Sequence, residues 1–279
     1  MAVPARIHNL YLLRPLFFLS LVFLLASGAG AQQNQQNGSS NRKPEYVEPI
    51  ITEETLPNEV GEWDFRFTSE YARDTGNIRS GLLPRFHTFF GILRNLGADF
   101  DGPLVYRKDS SSSYGLGDVS VGLKWLLAVP AGRRPAVVLG LETTFPTGRA
   151  ARHLGEGTYE LEPFLALLQD FRRVLVQGNV GVSNRILTSA ADPDEEKRAF
   201  TYNWAVAFPF RDHTLHLLAE VNGEVGLQHG QRIAAFSPGF KYRLNEQMFV
   251  AVATPVGLTR DTKKLGVVVQ FQVGVGSRE

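Results

Sequence analysis

Residues 114–148 read YGLGDVSVGLKWLLAVPAGRRPAVVLGLETTFPTG. Two runs of strict alternation flank a turn rich in Pro, Gly and Arg. In the first, Val119, Val121, Leu123, Trp125 and Leu127 share a face, opposite Asp118, Ser120, Gly122 and Lys124. After residues 130–135 the pattern resumes. Val137, Leu139, Leu141, Thr143 and Phe145 then oppose Gly140, Glu142 and Thr144. A period of two over such a length means β-strand, because successive side chains point to opposite sides of the pleat. Each run is about ten residues, the length a tilted strand needs to cross a bilayer. The open question is whether the apolar face meets a protein core or lipid.

Outward from this hairpin, alternation continues in both directions. Trp63, Phe65, Phe67 and Tyr71 oppose Asp64, Arg66, Thr68 and Glu70. A strand near 82–93 is noisier, with Phe86, Phe89 and Phe90 on both faces, and Pro103 weakens the later part of a strand near 95–106. Past the hairpin, strands are expected near 158–168, 174–183, 200–208, 215–227, 232–242, 248–258 and 265–275, for a total of about twelve strands. The connections alternate as well. Those near 74–80, 107–113, 147–157 and 186–198 are long and polar, whereas those near 94, 130–135, 170–173, 210–213 and 244–247 are short. Short turns at one end and long loops at the other are the asymmetry of outer-membrane barrels. Trp63, Trp125, Phe145, Tyr159, Tyr202 and Phe208 fall near strand ends, as interfacial aromatic girdles do. The expected fold is therefore all-β, an antiparallel transmembrane β-barrel of about 12 strands over residues 61–276. A secreted β-sandwich is the alternative, although sandwich strands are usually shorter.

The N-terminus reads as a processing signal. Arg6, His8 and Arg14 precede an apolar run at 16–26, and Ala29 and Ala31 supply the small residues of a cleavage site. Residues 1–31 are expected to be a signal peptide, which exports the chain to the bacterial outer membrane. Residues 32–60 then read as a disordered or extended periplasmic segment, polar at first (QQNQQNGSSNR) and afterwards rich in Pro and Glu.

Composition removes several classes of function. Lys and Arg total 29 against 28 for Asp and Glu, so no nucleic-acid partner is expected. No cysteine is present, which excludes disulfides, thiolate chemistry and cysteine-ligated metal. No cofactor and no metal are expected. The glycines at 115, 117 and 122 lack phosphate-loop spacing and no helix follows them. The histidines and serines fall outside any nucleophile signature, so enzymatic activity is not expected.

What remains is the polar face of the strands. Arg66, Asp118, Lys124, Glu142, Glu160, Glu162, Glu220, Glu224 and Lys241 are candidates to line a lumen. They could tune the selectivity of a pore or pair with one another and fill it, and twelve strands lie between the small filled barrels and the wide porins.

The hairpin also carries a family likeness. Gly115, Gly117, Asp118, Lys124 and then Pro146, Thr147 and Gly148 resemble the Gly-x-Gly-Asp strand start, downstream Lys and Pro-Thr-Gly loop of the outer-membrane family named for the MetA pathway of phenol degradation. The resemblance implies an outer-membrane barrel acting as a transporter, with hydrophobic or aromatic compounds as suspected cargo. Its expected partners are outer-membrane lipid, the barrel assembly machinery and a small-molecule solute. The alternatives are a structural barrel with a filled lumen and a lipid-acting barrel hydrolase.

Overall fold

The computed structural model describes residues 46–276, except 53, 74–78, 109–110, 131–133, 172 and 211–212. The expected signal peptide lies outside the described residues. Twelve strands run in chain order: β1 (Trp63–Arg73), β2 (Arg79–Leu93), β3 (Leu96–Lys108), β4 in two pieces (Ser112–Leu116 and Val119–Ala128), β5 (Ala136–Phe145), β6 (Thr158–Asp170), β7 (Leu175–Leu187), β8 (Arg198–Phe210), β9 (Leu215–Gly226), β10 (Arg232–Arg243), β11 in two pieces (Met248–Ala253 and Val256–Gly257) and β12 (Leu265–Val275). Each pairs antiparallel with its neighbours in sequence, and β1 pairs with β12 from Trp63↔Val275 to Arg73↔Leu265. The sheet is thus a closed barrel with no free edge.

Closure puts the apolar face outside. Leu123, Trp125, Leu139, Leu141, Leu161, Leu165, Val267 and Val269 are exposed, while Ser120, Lys124, Asn179, Glu220, Lys241, Gln270 and Gln272 are buried. A soluble sandwich would show the reverse. Only a lipid solvent accepts such an outer surface, and only a closed barrel satisfies strand backbones there. Aromatics ring both ends. Trp63 stacks on Phe90 at the short-turn end, and Phe145 meets Tyr159 edge-on at the long-loop end.

Three irregularities refine the sequence reading. β3 runs straight through Pro103, because its neighbours break there: β2 shifts register between Leu82 and Arg85, and β4 is interrupted at Gly117 and Asp118. Pro103 still accepts from Gly117 N at 2.8 Å. The Gly-rich stretch before Asp118 is itself strand and extends β4 towards the loops. The third difference concerns the expected linker. Residues 46–59 are extended, but they do not lie outside the barrel. Val47, Ile50, Thr52 and Thr55 are buried, and this segment packs against lumen-facing side chains of the wall.

Leu141 sits midway along β5, opposite Leu123. Leu141→Arg would place a cation on the lipid face and is expected to lower stability by about 2–4 kcal/mol near the bilayer midplane. Denaturant titration of protein folded into lipid vesicles checks this.

Candidate functional site

The lumen of the barrel is occupied by the chain's own residues 46–59. This segment enters and leaves at the short-turn end. Tyr46 lies beside Asp170 at the end of β6, and Val60 bridges Gly91 near the β2–β3 turn. Between them the segment rises along the wall. Thr52 Oγ1 accepts a 3.0 Å hydrogen bond from Asn222 Nδ2.

Glu220 provides the central attachment. It is 0% exposed, and its carboxylate accepts the backbone N–H groups of Ile50 (2.8 Å), Ile51 (3.0 Å) and Thr52 (2.6 Å). A carboxylate held by several N–H donors is a strong, directional anchor. The wall donates in return: Gln177 Nε2 bonds Val47 O at 2.6 Å and Gln270 Nε2 bonds Ile50 O at 3.1 Å. An amide chain Asn179–Asn203–Asn222, with links of 3.0 Å, follows the strand register across β7, β8 and β9.

Charges hold the segment's glutamates. Arg66, 4% exposed, bonds Glu48 at 2.5 Å and Glu54 at 2.8 Å. Lys241 Nζ contacts Gln272, the Glu48 carbonyl and, at 3.6 Å, the Glu48 carboxylate. Lys124 Nζ bonds Glu54 O at 2.9 Å and lies 3.8 Å from Asp99. The Phe89 ring receives Arg66 and Lys124, at 4.3 and 4.9 Å from its centroid. These charges tolerate burial because each is paired and hydrogen-bonded.

Between these polar attachments lies an apolar belt on the inner wall. Ala136, Leu168, Leu175, Ala207, Leu218, Ala251, Ala253 and Val268 are buried against Val47 and Ile50. A Cβ at Gly239 would lie 2.9 Å from Ile50 Cδ1, so the wall's small residues give Ile50 its room. A second patch of Val138, Phe164 and Ala166 meets Leu56.

Eight of the nine sequence candidates separate into three groups. Arg66, Lys124, Glu220 and Lys241 converge on the inserted segment. Glu160 and Glu224 meet at the other end of the lumen on Arg185, a residue the sequence reading missed, at 3.1 and 2.9 Å. Glu162 accepts from Thr201 at 2.5 Å and opposes Glu142 in the β5–β6 register. Asp118 is the exception and must be reassigned from lumen to loop. It accepts the N–H groups of Gly148 (2.9 Å) and Glu156 (2.8 Å), while Thr147 Oγ1 bonds Gly117 O at 2.8 Å. The Gly-x-Gly-Asp and Pro-Thr-Gly pieces thus form one clamp that fixes the loop after β5 onto β4. A Cβ at Gly148 would come within 2.7 Å of Leu154 O, so the clamp closes only on glycine. The next loop is latched by buried Glu196, which accepts from the N–H groups of Gln228, His229 and Gln231 at 2.8–3.2 Å. Burial alone would raise this carboxyl, but the three donors hold it below its ordinary value. The latch therefore holds at neutral pH and weakens in acid, as pH falls through the lowered value.

With this geometry in hand, likeness to known proteins can be judged. A family described as "Putative MetA-pathway of phenol degradation" matches residues 52–272. The chain belongs to this family. Its match starts at Thr52, within the inserted segment, and runs to Gln272 in the last strand. No curated protein matches the sequence. Among solved structures, the chain is similar to an outer membrane channel from Pseudomonas putida F1, with TM-score 0.64, 12% identity and coverage of 82% of this chain and 100% of that one. It is also similar to the KdgM porin solved with disordered oligogalacturonate, with TM-score 0.50, 8% identity and coverage of 78% and 99%. At these identities the likeness establishes the fold, an outer-membrane type β-barrel.

Two substitutions test the geometry. Glu220→Ala leaves three amides without their acceptor and should free the segment, with about 3–5 kcal/mol lost from its seating; proteases should then cut within 46–59. Asp118→Ala should leave that segment protected and instead expose residues 146–157 to cleavage.

Proposed function

We propose that this protein is an outer-membrane channel for small solutes, hydrophobic or aromatic ones among them, closed at rest by its own N-terminal segment. The observation that carries the reading is the seating of residues 46–59 in a lumen whose wall is otherwise continuous. In outer-membrane barrels short turns face the periplasm and longer loops face outward. By that rule the segment enters from the periplasm, below a mouth where Arg185 meets Glu160 and Glu224. Export through the signal at 1–31 and insertion by the barrel assembly machinery belong to the same proposal. Family membership and the fold of the two solved relatives support the channel class and leave the solute open.

The filled lumen also favours a second reading, a structural barrel in which the segment is permanent core. Removing residues 46–59 from the mature chain separates the two. A channel closed by its segment should conduct ions in planar bilayers after the deletion, at least about tenfold above the intact chain. A deletion variant that retains the β spectrum and heat resistance of the folded barrel but does not conduct would support the structural reading.

A further inference from the structure

The seats filled by Glu48 and Ile50 have their own chemical preference, whatever fills them. Glu48 places a carboxylate between Arg66, Lys241 and Gln272. Two residues on, Ile50 places a short branched hydrocarbon among Gly239, Ala251, Ala253, Val268 and Leu218. Together they present an apolar body with a carboxylate nearby. With the segment out, that end of the wall would hold three cations, Arg66, Lys124 and Lys241, stripped of Glu48 and Glu54 and left with Asp64 and Asp99 beside them, while Glu220 on the strand next to Lys241 would lose its three N–H donors. The vacated seat would leave Arg66 and Lys241 without the Glu48 carboxylate that lies between them and would expose an apolar belt to water. Both deficits are costly in a confined lumen, and one ligand could relieve both.

The segment can also leave. Both its limbs emerge at the short-turn end, so withdrawal needs no threading and breaks no strand pairing. Its attachments are hydrogen bonds, ion pairs and aliphatic side chains, and a small apolar carboxylate can take over the ion pairs of Glu48 and the apolar contacts of Val47 and Ile50.

We infer that residues 46–59 are a displaceable internal ligand, and that the site shared by Glu48 and Ile50 binds small apolar carboxylates, which compete with the segment for the lumen. The apolar body takes the place of Ile50 and Val47, and the ligand carboxylate takes that of Glu48. A neutral apolar molecule fills the belt but leaves Arg66 and Lys241 without their anion, so it competes less well. The inference deepens the channel reading by naming a solute class, but the binding event itself requires no conduction.

Amide hydrogen exchange at Ile50, Ile51 and Thr52 reports the displacement, because these N–H groups are protected by Glu220. The full mature chain in phospholipid nanodiscs is exposed to benzoate or hexanoate, and in parallel to benzyl alcohol or 1-hexanol. Saturating carboxylate should speed exchange at these three amides by about tenfold or more, and the alcohols by less than about twofold. Glu48→Gln weakens the internal competitor without touching the wall, so the carboxylate should act at a concentration at least about threefold lower. Lys241→Gln should erase the difference between acid and alcohol. Equal responses to acid and alcohol in the unaltered chain, or no response to either acid even in Glu48→Gln, would overturn the inference. Failure of the channel reading looks different: there the deletion variant would not conduct, yet benzoate would still release the amides.

Discussion

In lipid every strand N–H and C=O must find its partner within the protein, and this chain meets that constraint by pairing β1 with β12. The rest of the structure follows from that closure. Twelve strands give a wider lumen than the eight of barrels that wall side chains just fill, and residues 46–59 occupy part of it. The alternation that gives lipid its Leu and Val face sends Glu220, Lys241, Gln270 and Gln272 inward. These groups cannot stay buried without partners. Residues 46–59 supply them, chiefly through backbone amides and two glutamates.

The site is therefore a matched pair of surfaces, and the match is specific in charge. A wall carboxylate, Glu220, meets the segment's N–H groups, and wall cations meet the segment's carboxylates. Phe89 separates Arg66 from Lys124 and gives both cations a ring face, which eases their desolvation. The loop end is organised independently. The Asp118 clamp and the Glu196 latch fix loops to the barrel rim through backbone N–H groups, so the outer mouth does not rely on the inserted segment for its shape.

Much of this was legible in the sequence, for a simple reason. A strand facing lipid on one side and a polar lumen on the other must alternate, and residues 119–127 and 137–145 do so except at Leu126 and Val138, which face inward onto the apolar patch near Leu56. The strand count, the turn and loop asymmetry and the inward direction of Arg66, Lys124, Glu220 and Lys241 all follow from that period. Where geometry departs from the period, the reading lost its guide. Asp118 has lumen parity but sits at the break in β4, where the chain turns its carboxylate towards the loop. Arg185 lies on the polar face of β7, two residues beyond Ser183 and outside the stretch 174–183 that the alternation marks as strand. The lumen occupant was the least legible feature. KPEYVEPIITEETLPNEV has neither helical nor strand period, because its partners are scattered over β1, β4, β7, β9, β10 and β12. No local pattern encodes a segment whose conformation is set by the wall around it. Its mixture of Glu with Val and Ile makes sense only beside the belt and the cations it meets.

The most direct test of this account is a cross-link inside the lumen. The chain has no cysteine, so a pair can be introduced without background. Thr52→Cys with Asn222→Cys places two thiols where the side chains now share a 3.0 Å hydrogen bond. Asn203→Cys with Asn222→Cys, on register-paired wall positions, shows whether a short bifunctional thiol reagent reaches the lumen. The account predicts that both pairs cross-link in intact outer membranes. Efficient linking of the wall pair with none between 52 and 222 would contradict it.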